Sequence, residues 1–249
     1  METFRALLVV DAERFSAHND VQLPVLHMEI RRALGAAFDR SGLAQAWGSV
    51  RFVESTGDGI LAILPHDITP RLVEPFPRYL QDELHAAAPR LRAAEMRLRL
   101  RVAMHIGLVD DERPEAPGIS TATVDVNRLL DAEPLREALK RSDPGVTYAA
   151  FLLSAELFSV YVAGGRSGLR ESQFTEVAVK VKQFERPAYL YVPAPSRGPD
   201  EQEGPPAEPA PPPPPPNGPS ISGITITGDG AQNAIGNTVS GGDLRQERR

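Results

Sequence analysis

Two aspartates stand where a strand ends and where a hairpin turns, and such positions can bring carboxylates together. Asp11 follows the apolar run 6–10, and Asp58 lies in Thr56-Gly57-Asp58-Gly59 between two further apolar runs. Asp-Gly between apolar runs is a strong signal for a β-hairpin. Paired carboxylates suit hard cations such as Mg²⁺ or Mn²⁺, which retain water and share substrate phosphates. Two such ions can activate an attacking hydroxyl and stabilise a leaving pyrophosphate.

The amides that follow Asp11 are a second candidate for substrate binding. The backbone N–H groups of Ala12, Phe15 and Ser16 lie where a helix is expected to begin. Amides at the start of a helix can hold phosphate oxygens. We therefore expect these residues to bind the phosphates of a substrate.

The order of secondary structure elements explains how Asp11 and Asp58 could meet. Apolar periodicity predicts strands at 4–10, 50–55, 60–64 and 97–107, with helical regions at 18–40 and 69–95. This β-α-β-β-α-β order is ferredoxin-like. The first and third strands then lie side by side, and the hairpin tip reaches the same end, although the aspartates are separated by 47 positions. Three prolines, Pro75, Pro77 and Pro89, are expected to kink or break the second helix.

The predicted fold class is α+β, with a ferredoxin-like core, additional C-terminal strands and helices, and then a disordered tail. The additions are a helix at 124–140, a strand at 146–151, a short helix from Ser154, and strands at 174–181 and 188–192. The predicted divisions are a folded domain at 1–193, a proline-rich disordered linker at 194–220 and a low-charge tail at 221–249.

Composition excludes several classes of function. The chain has 249 residues and no cysteine, which excludes disulfides, thiolate zinc sites and cysteine nucleophiles. A net charge of −6 disfavours non-specific nucleic-acid binding. The apolar run 6–10 is too short for a signal peptide or a membrane span. We expect a soluble cytoplasmic protein with no nucleic-acid or membrane partner.

Three motifs in order resemble those of a known family over residues 4–192. The sequence has Asp11 followed after three residues by Phe15-Ser16, then Ser55-Thr56-Gly57-Asp58-Gly59, then Arg101-x-x-x-His105-x-Gly107. These resemble the two metal motifs and the following strand signature of class III adenylate and guanylate cyclases. The resemblance implies that Asp11 and Asp58 hold two Mg²⁺ (or Mn²⁺) ions. It also implies conversion of a nucleoside triphosphate to a cyclic nucleotide and pyrophosphate.

The resemblance also assigns the rest of the site. Glu54 matches the base-reading position, where Glu is typical of guanylate cyclases, so GTP is favoured over ATP. Arg128 matches the arginine that stabilises the transition state, and in this family the site is shared across a homodimer. Val124 stands where the family has a ribose-binding asparagine, and the neighbouring Asn127 is expected to point elsewhere. A second interpretation therefore stays open: a weak or inactive cyclase-fold sensor.

Two other features of the fourth predicted strand have simpler explanations. Arg97, Arg99 and Arg101 alternate with leucines and valine, which predicts a solvated or dimer-facing surface. His105 lies on the same strand, and we expect its role to be structural.

The C-terminal segment favours assembly with other copies. After the proline run 211–216, the segment 221–243 is rich in Gly, Thr, Asn and Ile and carries few charges. Its core, Gln232-Asn233-Ala234-Ile235-Gly236-Asn237, loosely resembles bacterial amyloid signalling motifs. Such a segment could stack in a cross-β assembly and connect the chain to a receptor or effector protein. The alternative is a disordered tail.

Overall fold

The computed structural model describes residues 1–50, 53–55, 59–181 and 184–198, with only the backbone given for 53–55. Its strands are β1 (Thr3–Ala12), β2 (Val53–Ser55), β3 (Gly59–Pro65), β4 (Leu100–Val109), β5 (Ala149–Ser154), β6 (Thr175–Val181) and β7 (Phe184–Tyr191). Its α-helices are α1 (Gln22–Arg40), α2 (Ala44–Gly48), α3 (Thr69–Val73), α4 (Phe76–Ala93), α5 (Thr121–Leu130), α6 (Glu133–Lys140) and α7 (Ala155–Phe158). Residues 194–198, the first of the predicted disordered linker, are instead held against the domain: the Thr147 hydroxyl donates to the Ala194 carbonyl, and the Gly198 amide donates to the Arg141 carbonyl. The rest of the predicted linker and the tail lie outside the described residues, so they remain predictions.

The described strands form one sheet in the order β2-β3-β1-β4-β5-β7-β6. The first four of these positions are those of the ferredoxin-like core, with β1 antiparallel to both β3 and β4. The predicted fold class is therefore confirmed for this core. Strand β5 extends it in parallel with β4, and β7 and β6 add an antiparallel pair.

The two faces of the sheet bury two separate apolar layers. Alternate residues of β1, such as Leu8 and Val10, pack with α1 and α4 on one face. Leu7 and Val9 pack with α5 and α6 on the other face. Because side chains alternate along a strand, Asp11 belongs to the same face as Val9. The candidate metal ligand and the helix that bears Arg128 thus lie on one face of the sheet.

The predicted helices at 69–95 and 124–140 are each divided in two. The first ends at Val73 and restarts at Phe76, because Pro75 cannot supply the amide that a continuous helix needs. The second ends at Leu130, and a new helix begins at Glu133 with a proline in its first turn. Pro89 lies inside α4 without ending it. No helix in the described part of the chain is long and apolar enough to cross a membrane.

Gly107 allows α5 to lie directly against β4. A Cβ atom at this position would lie 2.6 Å from the Cβ of Ala122, in the first turn of α5. Any side chain here would therefore push the helix away from the strand. The glycine of the His105-x-Gly107 signature is thus explained by packing, and it fixes how closely α5 approaches the sheet.

Candidate functional site

Asp11 lies at the end of β1, opposite the residue that follows Asp58 in the chain. Its strand partner on β3 is Gly59, and its partner on β4 is Arg101. The Asp11 carboxylate is largely buried and accepts a hydrogen bond from the Arg101 guanidinium, with which it forms an ion pair. Asp58 itself lies outside the described residues. The structure thus places Asp11 where the sequence predicted it, and the pairing of the two aspartates remains a prediction.

The arginine stripe of β4 is not the solvated surface that alternation predicts. Arg99 is buried, donates to the carbonyl oxygens of Thr147 and Leu139, and forms an ion pair of 3.0 Å with Glu13. Arg101 pairs with Asp11, so only Arg97 is exposed. Carboxylates spaced two apart at the end of β1 and just beyond it, Asp11 and Glu13, thus face arginines spaced two apart at the start of β4 and just before it. That complementary spacing was the sequence signal for a functional Arg101.

The amides after Asp11 do not begin a long helix. Residues Phe15–Ala17 form a single 3-10 turn, preceded by Arg14 in the left-handed region with φ of 56°. Helix α1 begins only at Gln22. The Glu13 amide donates to the Arg99 carbonyl at 2.9 Å, so its hydrogen bond is already made to the segment that leads into β4.

The three predicted phosphate-binding residues have different surroundings. Ala12 is buried at the end of β1, the Phe15 ring packs against the core, and Ser16 is exposed. The predicted α-helical phosphate cradle at 12–16 is therefore corrected to a short turn. Phosphate binding by these residues remains a prediction.

Arg128 lies on α5 and is held by a buried carboxylate. Its guanidinium donates to Asp125, one turn earlier, at 3.2 Å, and lies 5.5 Å from the centre of the Phe184 ring. Asp125 also pairs with Arg186 of β7 at 3.6 Å. About a third of the Arg128 side chain is exposed, and it lines a cavity of about 450 Å³. The Asp125 carboxylate thus orients the Arg128 guanidinium, while part of the side chain remains open to solvent.

The cavity beside Arg128 includes the position where the family resemblance implies a ribose-binding asparagine. Val124 lines it, half-exposed, and brings no hydrogen-bonding group. Asn127 lines it too, contrary to the expectation that it points elsewhere, although its amide nitrogen donates to the Thr123 carbonyl at 2.7 Å. Leu61 of β3 also lines this cavity, and Leu61 is the strand partner of Glu54. The backbone of Glu54 therefore lies on the strand that borders the cavity wall, while its side chain lies outside the described atoms.

Within one chain, the two halves of the candidate site line different cavities. Arg101, the partner of Asp11, lines a groove of about 1470 Å³, together with Glu13 and Arg14. Arg128 lines the separate cavity beside α5. Among the described residues of one chain, Arg101 and Arg128 therefore do not line the same cavity.

The described residues fit one half of a Mg²⁺ or Mn²⁺ site. Asp11 offers carboxylate oxygens, the donor type that these cations prefer. One of its partners is the Arg101 guanidinium, with which a bound cation would have to share the carboxylate. Among the described residues, no three acidic, histidine or cysteine side chains cluster as a metal site. A two-ion site would thus depend on Asp58 as the second carboxylate.

His105 is buried on β4 beside the carboxylate of Glu156, and its structural role remains a prediction. Its Nδ1 lies 3.9 Å from Glu156 and has no hydrogen-bond partner among the described atoms. Burial lowers the pKa of His105 below its usual value of 6.5, with the positive charge of Arg186 acting in the same direction. The charges of Glu156 and Asp125 oppose this shift. The neutral imidazole is therefore the form that the fold favours.

We expect the protein to lose stability in acid through His105. Because its pKa is lower in the folded than in the unfolded state, the unfolded state binds the proton first as the pH falls below about 6.5. His105 should therefore make its full contribution to the free energy of unfolding above pH 6.5. This contribution should be lost as the pH falls from about 6.5 towards the lower pKa of the folded state. Urea unfolding of wild type and His105→Gln at several pH values measures the effect. An equally steep acid dependence in the variant would exclude His105 as the cause.

The fold has known counterparts among solved structures. The guanylate cyclase domain of RhGC from Catenaria anguillulae in complex with GTP is similar with a TM-score of 0.51 and 13% identity, over 78% of this chain and 97% of that chain. The adenylyl cyclase CyaB from P. aeruginosa gives 0.50 and 15%, over 77% and 95%. A bacterial light-regulated adenylyl cyclase gives 0.50 and 13%, over 78% and 92%. Neither a protein-family model nor a curated protein matches the sequence. At these identities the similarity shows the fold, which is that of nucleotidyl cyclase catalytic domains.

Proposed function

We propose that this protein is a nucleotidyl cyclase that converts a nucleoside triphosphate, GTP in preference to ATP, to a cyclic nucleotide and pyrophosphate. The main support is the position of Asp11 on a cyclase fold. It ends the central strand next to Arg101, and its partner on β3 is the residue after Asp58. This is the arrangement that a two-carboxylate cation site at the hairpin tip requires.

Each residue has a role that follows from its chemistry. Asp11 and Asp58 would hold two Mg²⁺ or Mn²⁺ ions, which when bound activate the ribose hydroxyl and neutralise the departing pyrophosphate. Arg101 lies within ion-pair reach of Asp11, so its guanidinium can bind a phosphate oxygen of a nucleotide at this end of the sheet. Arg128 would stabilise the charge that develops on the transferring phosphoryl group. Glu54 would accept hydrogen bonds from guanine N1 and N2, which adenine cannot donate.

The separation of the two cavities favours a homodimer. Arg128 and the strand partner of Glu54 line one cavity, and Arg101 lines the other. Two copies arranged head to tail would bring the Asp11 end of one chain against the Arg128 cavity of the other. The proposed cytoplasmic location accords with the intracellular supply of nucleoside triphosphates.

The proposal is tested by incubating the full chain with each of the four nucleoside triphosphates and Mg²⁺ or Mn²⁺. We expect pyrophosphate and a cyclic nucleotide in equal amounts, with the highest rate on GTP. Production of pyrophosphate without cyclic product would indicate a different phosphoryl transfer.

We expect Glu54→Lys to change which base is used. A lysine at this position donates where the glutamate accepts, so it no longer pairs with guanine N1 and N2 and instead suits acceptor atoms of adenine. The ratio of kcat/KM for GTP to that for ATP should fall by about tenfold or more, on the scale of one or two lost hydrogen bonds to a charged group. Glu54→Gln, which keeps one acceptor oxygen, is the matched control and should change the ratio less. An unchanged ratio in both variants would remove Glu54 from base selection.

A second candidate function is supported by Val124. This apolar side chain occupies the Arg128 cavity where the family resemblance implies an asparagine, so the ribose loses a partner. The chain would then be a weak or inactive cyclase-fold sensor whose tail at 221–249 assembles with other copies or with a receptor or effector. Absence of product from all four nucleotides, together with measurable nucleotide binding, would favour this function over the enzyme.

A further inference from the structure

A groove at the Asp11 end of the sheet concentrates positive charge on an otherwise acidic chain. It lies between the turn after β1, residues 92–101 and helix α6, and has a volume of about 1470 Å³. Eight arginine and lysine side chains line it, against three glutamates, while the whole chain has 27 basic and 33 acidic residues. We call it the arginine groove. Such segregation of charge creates a positive potential that attracts anions.

Several cations of the arginine groove are not neutralised by carboxylates. Arg14, Arg92 and Arg97 are exposed and form no ion pair with any carboxylate of the described residues. At the end of α6, Lys140 and Arg141 share one partner, Glu137, at 3.2 and 3.4 Å. The described contacts therefore leave this wall of the groove with an excess of positive charge.

The remaining cations of the groove already have strong partners. Arg99 is fixed by Glu13, and Arg101 pairs with Asp11. Arg136 pairs with Asp131 at 2.8 Å. Glu95, the third carboxylate of the lining, forms no ion pair with a described residue and opposes the positive potential locally. The available binding capacity thus lies with the unpaired arginines and not with the residues assigned to cyclisation.

We propose that the arginine groove binds a free inorganic oligophosphate with three or more phosphate groups, and that it does so without a divalent cation. Arginine forks match phosphate oxygens in pairs, and three unpaired forks suit a chain of phosphates better than a single one. The described lining contains no Phe, Tyr or Trp. Single-stranded nucleic acids are usually held on such aromatic platforms, so their absence here favours the oligophosphate.

This site adjoins the proposed nucleotide site, since Arg101 lines the groove as well, but metal-free binding of an inorganic oligophosphate does not depend on cyclase activity. It uses Arg14, Arg92 and Arg97, none of which has a role in cyclisation above. Oligophosphate binding in the absence of metal can therefore hold even if no cyclic nucleotide is formed. Conversely, cyclase activity without metal-free oligophosphate binding would overturn only the present inference.

The test is calorimetric titration of the full chain with sodium tripolyphosphate in EDTA. Wild type should bind tripolyphosphate more tightly than orthophosphate, and the affinity should fall as salt is raised because exposed charges are screened. The double variant Arg92→Glu with Arg97→Glu should weaken binding by about tenfold or more, a change of about 1.4 kcal/mol. Arg31→Glu is the matched control, because Arg31 is exposed on α1 and lies outside the groove. It should bind like wild type.

Further titrations test which class of ligand the groove binds. GTP and tripolyphosphate titrated against each other in EDTA distinguish a nucleoside-linked ligand from an inorganic one. A single-stranded oligonucleotide that binds more tightly than tripolyphosphate would show that the ligand class is wrong. Equal binding by wild type and the double variant, or no detectable binding by wild type, would overturn the proposal. If the double variant does not fold, Lys140→Glu with Arg141→Glu tests the opposite wall of the same groove.

Discussion

Replacing Asp11 by asparagine should abolish cyclic nucleotide formation while leaving the fold intact. Asparagine keeps the shape of the side chain and can still accept a hydrogen bond from Arg101, but it loses the negative charge that holds a divalent cation. The loss of a cation ligand and of the charge stabilisation it supports should lower kcat by about 1,000-fold or more. Asp58→Asn should have the same effect, because both carboxylates are proposed to hold the same pair of ions. Product formation at saturating Mg²⁺ or Mn²⁺, measured by chromatography, checks this.

A matched control separates the site from general effects of charge. Asp39 is exposed near the end of α1, which packs on the opposite face of the sheet from Asp11. Asp39→Asn removes the same charge and should retain full activity. Asp39→Asn and Asp58→Asn should unfold at nearly the same temperature as wild type, whereas Asp11→Asn, which loses its ion pair with Arg101, should unfold cooperatively at a somewhat lower temperature. Wild-type activity in Asp11→Asn would exclude this carboxylate from the mechanism and leave its ion pair with Arg101 as a structural contact.

The sequence contained enough information for the core of the fold because each of its elements has a local periodicity. The alternation of Leu98, Leu100 and Val102 shows which side of β4 is apolar, and that side does pack in the core. The same alternation wrongly places Arg99 in solvent. Helix α6 and the segment 142–147 cover that end of the strand, and their approach depends on contacts between residues far apart in the sequence. The local alternation of apolar residues does not predict which distant segments pack over the end of a strand.

The candidate site was predictable to the extent that it lies on regular strands. Asp11 stands at a strand end that apolar periodicity defines, and the ferredoxin-like order places the first and third strands side by side, as β1 and β3 are. The orientation of α5 was less predictable, because it depends on the contact between Gly107 and Ala122. A rotation of this helix decides whether Val124, Asn127 or both reach the cavity beside Arg128, and in the structure both do.

Among substitutions of a single arginine, replacement of the buried Arg99 by methionine should cause the largest loss of stability. Arg99 donates to the carbonyl oxygens of Thr147 and Leu139 and to the Ser142 hydroxyl, and pairs with Glu13. Burial lowers its pKa, but a guanidinium stays charged at neutral pH. Methionine fills part of the volume and leaves these acceptors and the Glu13 carboxylate without their donor. Removing one partner of such a buried network should reduce the free energy of unfolding by about 3 kcal/mol.

Urea unfolding followed by the fluorescence of Trp47, the single tryptophan of the chain, measures this loss. Its ring stacks on the core residue Phe38 at 4.8 Å, so its emission should report loss of the core. Arg97→Met is the matched control and should change stability by less than about 0.5 kcal/mol, because Arg97 is exposed and unpaired among the described residues. Arg99→Lys keeps the charge beside Glu13 but cannot reach several acceptors at once, so it should recover only part of the loss. Equal midpoints for Arg99→Met and Arg97→Met would mean that the network joining β1 to the α6–β5 connection adds no net stability, and that apolar packing alone holds this end of the sheet.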